Sequence, residues 1–397
     1  MATNPYLQIY HDSSIKNRLQ RQLTSIDLPL LITAIILTMV GLVMIYSITL
    51  YSGNAYFIKQ TVRVLVGLFA LIIAVNVPHS IYQGKLRHIL LIFTIIMLIL
   101  TLTVGKQVAA VKRWAYFFQP AEIAKYVLII WLAGYFKNQQ EQKIKQTQNP
   151  KSFFSGFPLI PLAVAAIIII LLLLQPAIGT SFILTLTTLF ILFVGGVKFK
   201  HLLLISLAGL SLIVVTIITV PYAKKRFVEF RNGITYQQKQ SRIAIGSGHI
   251  WGKGLGEGKQ KFYFLPKLHT DFIFSAIAEE FGLLGSLFVL TIFFIMFTRG
   301  ISIAFATNDL FSKVLAFGIT IVLIQYVMVH LAVALALIPT TGQPLPFISY
   351  GGSALVTNLY AIGIILNISR FRRKHYGQNF NRNWRHGRTY LPGARSW

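Results

Sequence analysis

Residues 241–280 read SRIAIGSGHIWGKGLGEGKQKFYFLPKLHTDFIFSAIAEE. The stretch is rich in glycine and carries the cations Arg242, Lys253, Lys259, Lys261 and Lys267 before a single aspartate, Asp271, opens an apolar run. The whole chain has only ten acidic residues in 397. A carboxylate at the edge of a hydrocarbon layer is costly to keep there, so position alone makes Asp271 a functional candidate. Glu279 and Glu280 follow on the same segment, where helix–helix bonding is an equal reading.

On both sides of this stretch the chain is apolar and monotonous. Hydrophobic residues are 55% of the sequence and charged residues 12%, about half the charged share of a soluble domain. Runs long enough to cross a bilayer recur. The expected fold is an all-α polytopic membrane protein with ten transmembrane helices. Their approximate ranges are 28–50, 61–77, 89–104, 121–136, 157–174, 178–197, 201–220, 272–298, 314–338 and 351–368. A large loop, 221–270, separates the seventh helix from the eighth. The expected domains are a lead at 1–26, a membrane domain at 27–368 and a basic tail at 369–397. The polar insert NQQEQKIKQTQNPK after Lys137 reads as a solvated loop.

Ten spans place both termini on one side. Lys85, Arg87, Lys137, Lys198, Lys200, Arg299 and the tail share that side, and the positive-inside rule makes it cytoplasmic. The loop 221–270 is then extracytoplasmic, yet it stays basic. An anionic ligand such as a pyrophosphate accounts for this, and so does contact with anionic headgroups. The net charge of +27 follows from membrane topology, so no nucleic-acid partner is expected. Without cysteine there is no disulfide or thiol chemistry. His249 and His269 flank the glycine loop, and two lone histidines in a basic loop are a weak signal for a metal site.

Three further stretches put polar groups at membrane depth. Lys112-Arg113-Trp114 precedes Gln119-Pro120-Ala121-Glu122 and Lys125; Glu122 and Lys125 are three apart and share a helix face. Gln175-Pro176-Ala177-Ile178-Gly179-Thr180 breaks an apolar run. Residues 339–353, PTTGQPLPFISYGGS, hold three prolines and three glycines. Irregular backbone at such depth must be buried in protein or face water.

The wording RW…QPAEIAK (113–125), QPAIGT (175–180), 240–285 and PTTGQPLPFISYGGSALVTNLYAIGIILNISR (339–370) resembles the SEDS family of bacterial cell-wall proteins, the FtsW/RodA type. The match runs from Asp27 to Arg370, and the last two stretches lie nearer FtsW than RodA. The resemblance implies a glycosyltransferase that polymerises lipid II with inversion and releases undecaprenyl pyrophosphate. It implies Asp271 as catalytic base and a cavity pair at Glu122 and Lys125. Arg113 and Lys59 match cationic positions, with Lys59 standing where arginine is usual. The substrate-binding set is Lys59, Arg113, Glu122, Lys125, Ala177, Lys259, Lys267, His269, Thr270, Ser349 and Ser353. No cofactor is assigned, and a divalent cation, magnesium or manganese, stays open. Expected partners are a class B penicillin-binding protein and other division or elongation proteins. Ala177 departs from the family, whose Gln-Pro-Asp is Gln-Pro-Ala here. A restored carboxylate there is expected to face the Glu122 cavity and speed the reaction. A lipid II flippase and a non-catalytic scaffold are the alternatives.

Overall fold

The computed structural model describes residues 26–50, 55–103, 106–108, 111–114, 118–146, 157–261 and 265–385, with backbone alone for 106–108, 111–114, 143–146, Tyr222 and 371–385. The polar lead, the second half of the insert and the end of the tail fall outside these residues.

Asp27 starts the membrane domain as a helix N-cap, its carboxylate accepting the Leu30 N–H at 3.2 Å. Helix α1 (Leu28–Thr49) is followed by α2 (Ala55–Asn76), a short 3-10 turn (His79–Gln83) and α3 (Leu86–Thr103). Two short antiparallel strands, β1 (Lys106–Val108) and β2 (Val111–Trp114), pair Gln107 with Lys112 and lead into α4 (Pro120–Gln146). Then come α5 (Leu159–Leu174), α6 (Ile178–Val194) and α7 (Phe199–Thr219). The loop 221–270 holds two helices of its own, α8 (Pro221–Arg231) and α9 (Tyr236–Ser247). Helices α10 (Ile273–Phe305), α11 (Leu310–Ala334) and α12 (Gly352–Arg385) complete the bundle. Every apolar stretch of the sequence is thus helical. Among the described residues, α1, α2, α3, α7, α10, α11 and the first nineteen residues of α12 are long and apolar enough to cross a membrane, while α5 and α6 are shorter apolar helices. This is a multi-pass membrane architecture, all-α apart from the hairpin.

Several boundaries correct the sequence expectation. The insert begins as helix: α4 continues ten residues past Phe136, to Gln146, because Gln, Glu and Lys are good helix formers. Helix α2 begins at Ala55, six residues early. Helix α10 breaks internally at Gly282, whose φ of 67° and ψ of −161° are not helical.

The packing is that of a bundle in lipid. Helix α11 sits at the centre, with 83% of its most apolar window buried, whereas the same measure for α7 is 17%. Leu203, Leu204, Leu207 and Leu210 of α7 are accordingly exposed. Close approach through small residues replaces a water-driven core. Gly67 of α2 lies against Leu359 of α12, and a Cβ on Gly363 of α12 would stand 2.7 Å from the Leu71 carbonyl oxygen.

The end of the bundle away from Asp271 carries a polar network of its own. Arg299 pairs with Asp27, whose backbone N–H donates to Ser369 Oγ at 3.2 Å. His79 bridges Asn367 at 2.8 Å and Ser312 at 2.9 Å, and Lys137 reaches Asp309 at 3.2 Å. These groups join the turn after α2, the end of α4 and the facing ends of α11 and α12.

Candidate active site

The glycine-rich loop is folded by the two glutamates of α10. The Glu279 carboxylate accepts Lys253 Nζ at 2.7 Å and the backbone N–H groups of Lys259 (2.8 Å) and Gln260 (3.2 Å). Glu280 accepts Ser47 Oγ at 2.6 and 2.7 Å, and Ser47 Oγ in turn accepts the Gly256 N–H. Both carboxylates are 1–2% exposed. The Lys253 and Gly254 amides bond the carbonyls of Glu279 and Glu280, so the loop lies directly on α10. A Cβ on Gly252 (φ 82°) would come within 2.2 Å of the Glu280 carbonyl oxygen, so only glycine fits there. Glu279 therefore holds loop to helix, while Glu280 bonds helix to helix through Ser47 of α1, which in turn takes up the loop at Gly256.

This clamp delivers Asp271. Lys267 takes a left-handed φ of 59°, and its carbonyl accepts the N–H groups of both Thr270 and Asp271. That tight turn places the aspartate just ahead of α10. Its side chain is half-buried, and no donor among the described residues bonds its carboxylate. A Cβ on Gly342 (φ 69°) would sit 3.7 Å from Asp271 Oδ2, so the irregular segment 335–351 borders the acid.

The same segment ties the neighbouring groups together. Ser349 Oγ donates to the Thr270 carbonyl at 2.7 Å and accepts the Leu345 N–H at 2.8 Å. Tyr350 N–H bonds the His269 carbonyl. The His269 ring packs edge-on to Tyr350 at 5.5 Å between centroids and tilted against Tyr56 at 5.4 Å. Burial lowers the His269 pKa, and the Asp271 charge opposes this in part. Ser353 Oγ accepts the Gln119 N–H at 3.0 Å, just ahead of the α4 turn that carries Glu122.

Glu122 and Lys125 form a buried ion pair at 2.6 Å, 3% and 1% exposed. Lys125 also donates to Asn358 Oδ1 at 3.1 Å, and it lies 4.3 Å from the Tyr326 ring centroid and 5.0 Å from that of Tyr126. The pair neutralises itself, with the ammonium enclosed by Glu122, Asn358 and the two tyrosine rings. Lys259 and Lys267 are exposed, as is Lys59. Arg113 lies on β2, its side chain outside the described residues. Ala177 is 3% exposed and occupies the α6 N-cap without a side-chain cap. One turn further, Thr180 meets Gln343 at 3.5 Å. Among the described residues no group of three His, Asp or Glu is placed to hold a metal ion, and His249 is exposed, away from the His269 stack.

A family model described as "Cell cycle protein", covering FtsW, RodA and SpoVE, matches residues 28–374. The chain belongs to this family. Among FtsW/RodA/SpoVE relatives it is 34% identical to the stage V sporulation protein E of Bacillus subtilis, over 88% of this chain and 98% of that protein. It is 35% identical to a probable peptidoglycan glycosyltransferase FtsW of Trichlorobacter lovleyi, over 88% and 94%. Its fold matches a chain of a peptidoglycan synthase complex studied for the coordination of polymerization and crosslinking, with a TM-score of 0.71 at 25% identity over 87% of this chain and 98% of that one. Thermus thermophilus RodA matches at 0.66, with 25% identity over 87% and 97%.

Sequence reading of this FtsW/RodA chain misses three groups, the half-buried Arg63 and the buried Asn358 and His330. Arg63 of α2 lies 4.4 Å from the Tyr350 ring centroid, while Lys59, one turn earlier, points out. A cation inside an apolar span is signal enough to find it. Asn358 and His330 carry no local signal, because their partners lie on distant elements or across the break after α11.

Proposed function

We propose that this chain is a peptidoglycan glycosyltransferase that polymerises lipid II into glycan strands, with Asp271 as its general base. The observation that carries this reading is the Asp271 carboxylate: half-buried, at the edge of the bundle, and bonded by no donor among the described residues. A base must be within hydrogen-bond reach of the proton it takes, and an uncommitted carboxylate in a fixed turn meets that need. It accepts the proton of the acceptor sugar's hydroxyl as that oxygen bonds the donor's anomeric carbon. The bond from that carbon to the pyrophosphate breaks on the opposite face, with inversion, and undecaprenyl pyrophosphate leaves.

Developing negative charge on the leaving group calls for cations. Lys259 and Lys267 are exposed near Asp271 in the chain, and Arg113 joins them by its family match. Lys125 acts differently: locked to Glu122 and Asn358, it fixes the α4–α12 wall of the site. A cavity of about 210 Å³, lined by Ile178, Phe182, Ile213, Phe227, Val329 and Thr341 among others, opens beside the segment that borders Asp271. Its apolar walls suit a polyprenyl chain.

In this reading all ten apolar helices cross the bacterial inner membrane. Both termini are cytoplasmic, and 221–270 is outside, between the seventh and eighth spans. The lead at 1–26, the membrane domain at 27–368 and the basic tail at 369–397 keep their assigned roles, the tail lying on anionic lipid. The transpeptidase partner is a single-pass class B penicillin-binding protein, with its membrane helix against α10 and α11. Purified protein incubated with labelled lipid II, with and without that partner, tests the reading. Glycan strands that vanish with Asp271→Asn support it. Transport without polymerisation, or partner binding alone, replaces it with a flippase or a scaffold.

A further inference from the structure

The break after α11 needs partners for its carbonyls, and they come from unexpected places. Gln238 of α9 donates to the Ile338 carbonyl at 2.7 Å, and Arg226 of α8 to that of Thr340 at 2.6 Å. The Gln343 carbonyl is bonded at 3.0 Å by the Nδ1 of His330, a residue of α11 that is 1% exposed. Among the described residues no other donor reaches the backbone of residues 342–344. Gln343 follows Gly342, the residue that borders the Asp271 carboxylate.

A carbonyl can only accept, so the proton of this bond sits on Nδ1. The other ring nitrogen, Nε2, is then a bare acceptor, and it is buried with no donor among the described residues. A charged ring would instead bury an unpaired N–H at membrane depth, a larger penalty than a bare lone pair. The ring is therefore neutral and fixed in one tautomer.

We propose that His330 is a positioning residue for the reaction: its Nδ1–H holds the Gln343 carbonyl and so fixes Gly342 against the Asp271 carboxylate. The proposal rests on Asp271 being the base. Positioning errors of about 1 Å cost on the order of 100-fold in rate, so loss of the clamp lowers kcat and leaves KM nearly unchanged.

The test uses the full-length protein in detergent with its penicillin-binding partner. His330→Leu removes the donor and keeps an apolar filler. His330→Asn offers a side-chain N–H at the distance of Nδ1. Lipid II polymerisation by His330→Leu is expected to lose about 10- to 100-fold in kcat, with KM within about twofold, and His330→Asn to recover most of the loss. A wild-type rate in His330→Leu, or equal losses in both variants at matched thermal stability, overturns the proposal. Nitrogen NMR of histidine-labelled protein, with the His330 signal assigned by its absence in His330→Asn, reads the clamp without any activity. A neutral ring protonated at Nδ1 is expected. A ring protonated at Nε2 alone contradicts the clamp even if Asp271 proves to be the base. Full activity of Asp271→Asn removes the base reading while leaving the NMR result standing.

Discussion

At the scale of single residues, the site separates carboxylates that are committed from one that is not. Glu122, Glu279 and Glu280 are each 1–3% exposed and fully engaged; Asp271 is half-buried and bonded by no described donor. Removing Lys125 would leave Glu122 buried without its cation. Lys125→Leu is expected to destabilise by about 3–5 kcal/mol, and the double change Glu122→Leu with Lys125→Leu by much less, because a paired charge is costly mainly when only one half stays. Thermal unfolding in detergent measures both, and a double variant at least as unstable as the single one refutes the pairing. His269 gives a pH dependence. Its folded-state pKa lies below the usual 6.5 because it is buried. Below pH 6.5 the unfolded chain binds a proton that the folded chain refuses, so stability falls as pH drops through that range. His269→Phe is expected to flatten this dependence, seen in unfolding midpoints taken from neutral to mildly acidic pH. Of this site, Asp271 and the Glu122–Lys125 pair were legible because each is marked by local spacing. The clasp of Lys125 by Asn358 was not, because 233 residues separate them.

At the scale of elements, the loop behaves as part of α10. Glu279 receives three bonds from residues 253–260. Hydrogen bonds to a charged group contribute about 1.5–3 kcal/mol each. Glu279→Ala is therefore expected to release the loop, with protease cutting between Lys253 and Lys261 faster than in the parent; unchanged cutting would mean the clamp is unimportant. Helix α6 offers a second case. Ala177 is its N-cap and supplies no side-chain acceptor. An aspartate there accepts a first-turn N–H and meets the positive helix end. Ala177→Asp is expected to raise stability by about 1 kcal/mol and to speed polymerisation. A lower unfolding midpoint and a slower reaction would show that the buried position has no room for a carboxylate. The helical stretches were readable from apolar run length, but not where polar helix formers extend them, as in α4. Nor was the Gly282 break readable, since only contact with Ile250 and Gly252 explains its backbone.

At the scale of the whole molecule, the bundle gathers its irregular segments at one end. The α5–α6 break, the loop on α10 and the 335–351 segment meet there. Buried polar networks tie the opposite end, through Asp27, His79, Asn367 and Lys137. That second network was not legible in the sequence, because its polar residues are scattered singly along the chain and only the fold collects them. A rigid far end and a near end held by loop clamps suit an enzyme that keeps one face fixed and works at the other. The central claim is that this near end polymerises lipid II and that Asp271 takes the proton. The measurement that tests it most directly is strand formation from labelled lipid II by the purified protein with the proposed class B penicillin-binding partner, comparing wild type with Asp271→Asn. The account expects glycan strands from the wild type and at least about a 100-fold loss in the variant, with equal expression and unfolding midpoint. Strands formed at the wild-type rate by Asp271→Asn would contradict it.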